Sequence, residues 1–100
     1  MTFDPKSFLI ESFNIALEAA LPRNSLPLYL DNDRSKAAIV IGAGKAAASM
    51  AAAFENNWHG PISGLVVTPY GHSVKCEYIE IIEAAHPTPD QMSLKAAEKI

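Results

Sequence analysis

A lysine directly after two closely spaced glycines is the group in this sequence best suited to chemistry. The apolar run Ala37-Ala38-Ile39-Val40-Ile41 leads into Gly42-Ala43-Gly44-Lys45 and then into alanines 46–48. Glycine lets the backbone turn tightly and approach a ligand, and a helix opening after such a turn presents unpaired N–H groups and the positive end of its dipole. Lys45 adds a full positive charge at that point. A lysine in a helix's first turn opposes the dipole and gains nothing in isolation, whereas a bound anion reverses that cost. The chemistry indicated is the gripping of phosphate or carboxylate oxygens by Gly42, Ala43, Gly44 and Lys45. The plainer alternative is a solvent-facing lysine on an ordinary tight turn. Ser49, one turn beyond Lys45, either faces the same pocket or packs on the sheet.

Two further stretches carry groups of this kind. Thr68-Pro69-Tyr70-Gly71-His72-Ser73 sets stiff and flexible backbone beside a histidine, so His72 is either a ligand contact or an exposed loop residue. In Glu83-Ala84-Ala85-His86-Pro87-Thr88-Pro89-Asp90, Pro87 favours an extended His86 and two prolines fix the backbone around Thr88. Glu83 and Asp90 are possible metal ligands, but capping is the simpler role for Asp90 and solvation for Glu83. His59, ahead of Gly60-Pro61, belongs to a turn at the far edge. Gly42-x-Gly44-x-x-Ala47 fits a loose dinucleotide fingerprint, yet Thr68-Pro69-Tyr70 stands where a nicotinamide site needs an acidic residue. The spacing is not that of a Walker A loop either.

These groups need strands and helices to hold them. Asp4-Pro5 reads as an N-cap and first helical position, with Leu9, Phe13, Leu17 and Leu21 forming an apolar stripe for packing on a sheet or partner domain. Pro22, Asn24 and Pro27 end that helix, and a loop runs on to Arg34. Residues 37–41 are apolar throughout, which predicts a central strand buried on both faces. A helix over 43–57 and a strand over 64–68 complete a βαβ unit. Residues 78–82 form a third strand, and the short link before it suits a hairpin. The clustering of polar, Gly and Pro residues after all three strands favours a parallel strand instead. Thr88-Pro89-Asp90-Gln91 reads as the start of the last helix, with Thr88 as N-cap and Gln91 completing a capping box.

Composition narrows the field. A net charge of −3 with scattered basic residues argues against nucleic acid as a partner, while one local anion site remains compatible with an acidic chain. No apolar run is long enough to span a membrane, and the N-terminus lacks a secretory pattern, so the default expectation is a cytoplasmic protein. The single cysteine, Cys76, has no internal disulfide partner and no metal-ligand spacing around it. The final stretch, Ser93 to Ile100, reads as a helix without a C-cap, which leads us to expect the N-terminal piece of a longer chain.

Three segments taken in order, Val40 to Ala46, Gly60 to His72 and Ala85 to Asp90, resemble the class II glycerate kinases, the glycerate 2-kinases with a C-terminal MOFRL domain. The resemblance implies an α/β fold: a Rossmann-like three-layer sandwich with a mostly parallel sheet, only partly covered by this chain. It implies that residues 1–100 are the N-terminal part of the first domain, with the rest of that domain and the MOFRL domain absent. It further implies ATP-dependent phosphorylation of D-glycerate at the 2-hydroxyl, giving 2-phosphoglycerate, with Mg2+. Lys45 carries over as the active-site lysine; the glycine turn, Ser49, His72, His86 and Thr88 are expected around substrate or phosphate. D-glycerate and ATP are the expected partners, the missing domain closes the cleft, and a homodimer is compatible with this. Family members are often labelled hydroxypyruvate reductase, so a nicotinamide-dependent reductase stays open as an alternative. A non-catalytic sugar-phosphate-binding module is the third reading.

Overall fold

The computed structural model describes residues 2–100. Helix α1 (Pro5–Ala20) starts as expected: the Asp4 side chain accepts from the Lys6 N–H, and Pro5 occupies the first helical position. Its apolar stripe, however, is left largely uncovered in the described chain: Leu9, Phe13 and Leu17 are exposed, and only Leu21 is half-buried, beside the segment that follows. The expected layer is thus not formed here. A projecting α1 stretches the molecule to 59 × 39 × 18 Å with a radius of gyration of 17.0 Å, against about 13 Å for a compact chain of this length. The predicted loop after it is partly helical: α2 (Pro22–Ser25) and a 3-10 turn (Leu26–Tyr29) follow. Each has a proline in its first turn, where the missing N–H costs nothing.

Strand β1 (Ala38–Ala43), helix α3 (Ala47–Asn57) and strand β2 (Ile62–Pro69) form the βαβ unit, and β3 (Glu80–Ala84) follows. All three strands are parallel, in the order β1-β2-β3, with Ala38 opposite Ile62 and Leu65 opposite Glu80. Parallel pairing of β3 is the arrangement favoured from the sequence. The central position of β1 is not: β2 is central, and β1 is an edge with one face open. The reason lies in the coverage. Helix α3 covers one face, where Ala51, Val66 and Ile79 form a core, while α4 (Gln91–Lys99) covers the other through Leu65, Ile82 and Ala96. Helix α4 lies over β2 and β3 and leaves the β1 side chains on its face uncovered.

Two helix starts differ from expectation. Helix α3 begins at Ala47 rather than residue 43, because β1 continues and the Gly44 N–H still donates to the Val67 carbonyl at 3.0 Å. Helix α4 is capped by Asp90 rather than Thr88: the Asp90 side chain accepts from the Ser93 N–H, and the Ser93 side chain closes the capping box in place of Gln91. Asp90 also accepts from the Ala85 N–H and the Tyr70 hydroxyl. These tertiary bonds outweigh the local Thr-Pro pattern.

The link from β2 to β3 crosses over without a helix, and Glu55 makes this possible. Its carboxylate, on the last turns of α3, accepts from the N–H groups of Glu77, Tyr78 and Ile79 at 2.8, 2.7 and 2.7 Å. Backbone donors that a helix would have satisfied internally are thus given a partner. Glu55→Ala is expected to cost about 1 to 3 kcal/mol, most of it at the buried Ile79 donor, since exposed Glu77 and Tyr78 turn to water. Thermal melts should show Glu55→Gln, which keeps an acceptor, falling between the two. Equal melting of all three chains would refute the role. Cys76 packs in the same crossover, and burial, then the Glu55 charge, push its thiol pKa upward. A raised pKa disfavours the thiolate, the reactive form of cysteine.

Candidate functional site

The parallel sheet brings the ends of all three strands to one edge. At the first, Gly44 takes φ +145°, a conformation that side chains rarely allow, and a Cβ there would meet nothing within 4 Å. The turn needs glycine for its backbone, and the space beside it is open. Gly42 lies inside β1, so only one of the two glycines makes the turn. Lys45 sits in the turn ahead of α3, not in its first turn, and is exposed. Among the described residues its ammonium has no carboxylate partner within salt-bridge distance.

Helix α3 opens with Ala46 at the N-cap and no capping side chain, whereas α1 and α4 each have an aspartate. Its first-turn N–H groups therefore lack a side-chain acceptor on the side where Lys45 stands. Below the turn, Thr68 is the one buried polar residue among those described, at 2% exposure. Its hydroxyl donates to the Lys45 carbonyl at 3.4 Å. Thr68 thereby links the end of β2 to the lysine turn. From the sequence, Thr68 ends the second strand and opens the loop after it, with no role assigned to its hydroxyl; a lone threonine ending the run Leu65-Val66-Val67 is the signal for one.

The other two loops are tied to each other. Tyr70 N–H donates to the Ala84 carbonyl, Gly71 N–H to Glu83 Oε1 at 2.8 Å, and the Tyr70 hydroxyl to Asp90 Oδ2 at 2.6 Å. Glu83 and Asp90 are thus engaged as structural acceptors. No group of three or more His, Cys, Asp or Glu able to hold a metal occurs among the described residues. The Tyr70 hydrogen bond, followed by those from the Ser93 and Ala85 N–H groups, holds the Asp90 pKa down at about 2. A depressed carboxylate contributes its full stabilisation above the unfolded value of 3.8 and loses it as pH falls through about 2. Tyr70→Phe removes the largest cause, so the Asp90 carboxyl should titrate at higher pH when followed by carbon NMR. An unmoved titration would show that the Tyr70 bond does not form.

Beside these loops lies a cavity of about 270 Å3, lined by Ala43, Gly44, Thr68, His86 and the inner side of α4. His86 therefore joins the glycine turn, and its peptide bond to Pro87 is cis. The remaining candidates are spread out. His72 and Thr88 are exposed and line none of the cavities described, Ser49 is half-buried on α3 and lines none either, and Lys45, next in the chain to Gly44, is exposed and lines none. A second groove, of about 410 Å3, runs along the outer side of β1 and includes Gly42 and Gly44. The glycine turn borders both spaces.

A sequence-family profile described as a domain of unknown function, DUF4147, matches residues 8–100. A protein of Agrobacterium vitis, provisionally named hydroxypyruvate reductase, is 48% identical over 89 residues, covering 88% of this chain and 20% of that protein. The D-glycerate 2-kinase of Thermotoga maritima is 36% identical over 103 residues, covering 98% of this chain and 25% of that protein. The crystal structure of a glycerate kinase from T. maritima superposes with a TM-score of 0.73 at 34% identity, over 95% of this chain and 24% of its own. The chain spans a quarter or less of the length of these relatives.

Proposed function

Since the chain belongs to the DUF4147 family, that of the glycerate 2-kinases, we propose that it supplies the anion-gripping edge of such an enzyme. In this reading the γ-phosphoryl group of ATP passes to the 2-hydroxyl of D-glycerate, giving 2-phosphoglycerate and ADP. The observation that carries it is Lys45: an exposed ammonium without a carboxylate partner, on a glycine turn, before a helix whose first N–H groups have no capping side chain.

Phosphoryl transfer makes modest covalent demands on a protein. It needs reactants in line and positive charge close to oxygens that gain negative charge in the transition state. Lys45 and the α3 N-terminus supply that charge from a fixed backbone, anchored by the Gly44–Val67 bond and by Thr68. His86 lines the neighbouring cavity, and in this reading it orients a hydroxyl or carboxylate. Mg2+ would arrive on the nucleotide, because Glu83 and Asp90 already serve the loops and no ligand cluster stands ready among the described residues. It would neutralise phosphate charge when bound.

A nicotinamide-dependent hydroxypyruvate reductase is the second reading, favoured by the name of the A. vitis relative. Against it, the end of β2 carries Thr68-Pro69-Tyr70 with no acidic side chain for a ribose hydroxyl. Residues 1–100, alone and joined to the remaining three-quarters of the T. maritima enzyme, separate the two in parallel assays. We expect ADP release that requires D-glycerate, in the joined protein only, and its loss with Lys45→Ala. Oxidation of NADH by hydroxypyruvate without ATP would overturn the kinase reading, and ligand binding with no turnover would favour a sugar-phosphate-binding module.

A further inference from the structure

We infer that Tyr70 and Asp90 are positioning residues for His86, clamping both ends of the loop that carries it at the cavity. This role deepens the kinase reading and rests on its assignment of His86 to D-glycerate. Among the described residues, no hydrogen bond holds the His86 ring itself. The ring therefore goes where its backbone is put.

Asp90 binds on both sides of that backbone. Its Oδ1 accepts from the Ala85 N–H, immediately before His86, at 3.3 Å, and from the Ser93 N–H in the first turn of α4 at 3.1 Å. The carboxylate thus closes residues 85–90 into a ring, with His86-Pro87-Thr88-Pro89 as the span between its tied ends. Prolines fix φ at two of those four positions. Tyr70 then fastens the ring to β2. Its hydroxyl donates to Asp90 Oδ2 at 2.6 Å, while its own N–H donates to the Ala84 carbonyl at 3.2 Å. One residue grips the chain before the loop and the carboxylate after it.

Helix capping alone does not account for this arrangement. The cap uses Oδ1, whereas Tyr70 takes Oδ2, an oxygen the cap leaves free. Both side chains are exposed, so water would satisfy them with little change in stability. What the direct bond adds is a fixed distance, and its shortness to an ionised acceptor makes it a strong one. The anchor point also matters. Thr68, two residues earlier at the end of β2, bonds the Lys45 carbonyl, so the lysine turn and the His86 loop are both referenced to the same strand end. A reaction that needs its groups held in register uses such a frame.

The test uses the protein joined to the T. maritima remainder, with D-glycerate and ATP. Tyr70→Phe keeps the ring and loses only the hydroxyl. It should lower kcat/KM for D-glycerate about tenfold, with the KM for ATP and the melting midpoint nearly unchanged. In a His86→Ala background the same substitution should have no further effect, because a positioning residue acts only through the side chain it places. Asp90→Asn, which keeps one oxygen for the cap, should show the same coupling. The Ala85 amide should exchange faster in Tyr70→Phe than in the unsubstituted protein. An impaired His86→Ala beside a fully active Tyr70→Phe overturns the clamp and leaves the kinase reading standing. Equal losses from Tyr70→Phe with and without His86 do the same, since the tyrosine then acts elsewhere. Unchanged exchange at Ala85 overturns the clamp by itself. Full activity in His86→Ala, or no D-glycerate-dependent turnover in the unsubstituted protein, overturns the reading of this site and the clamp with it.

Discussion

Gly64→Ala is expected to remove most of the stability of the chain. Gly64 lies in β2 directly opposite Val40, at φ +145°. A Cβ there would overlap the Val40 carbonyl oxygen and stand 2.7 Å from its carbon and nitrogen. These are backbone atoms of a hydrogen-bonded ladder, and unlike a flexible side chain they cannot swing aside. Overpacking of this kind costs about 1 to 3 kcal/mol or more, and a side chain held at such a φ adds about 1 to 3 kcal/mol. A small domain has only about 5 kcal/mol to lose at the low end. The melting midpoint should fall by more than about 15 °C, or the cooperative transition should vanish. Gly42→Ala is the control, because a Cβ there meets only Val66 Cγ1 at an ordinary 3.8 Å. A Gly64→Ala chain melting like that control would show that β1 and β2 tolerate a wider spacing.

The second large effect is expected at Lys45, and in the opposite observable. Lys45→Ala in the protein joined to the T. maritima remainder should lower kcat by about 10² to 10³, the usual loss when one electrostatic contact to developing charge is removed. Stability should change by less than about 0.5 kcal/mol, since the side chain is exposed and pairs with no carboxylate among the described residues. Lys45→Arg separates charge from geometry, because a planar guanidinium fits this turn differently from a compact ammonium. Near-normal turnover in Lys45→Ala would reduce Lys45 to a solvated turn residue.

The parts of this fold that were legible in the sequence are those set by local chemistry. The βαβ order, the Asp4-Pro5 helix start and the strand-end positions of the three loops follow from periodicity and from Gly and Pro placement. What was not legible depends on partners distant in sequence. Asp90 displaces Thr88 as the cap of α4 because Tyr70 and Ala85 also bind its carboxylate. The two-residue shift of β3 follows from the crossover held by Glu55, a residue with no motif around it. Residues 37–41 read as buried on both faces because they are apolar throughout, whereas in this sheet β1 is an edge that leaves Ile39 and Ile41 exposed. Within the candidate site, the lysine turn was visible as a sequence pattern. The support of that turn by Thr68, and the separation of His72 and Thr88 from the His86 cavity, required the three-dimensional arrangement.

The bond from Glu55 to the crossover also has a kinetic consequence. Pairing of β3 with β2 spans fewer residues than pairing of β2 with β1, but its link has no helix of its own and is held by Glu55 on the last turns of α3, against residues 77–79. We predict an ordered assembly in which the βαβ unit forms first and β3 docks last, with Glu55 as the latch between the two stages. Pulse-labelled amide exchange during refolding should then protect Val66 before Ile79. Glu55→Ala should speed unfolding more than it slows folding, the pattern of a contact made after the transition state; the reverse would place β3 in the folding nucleus.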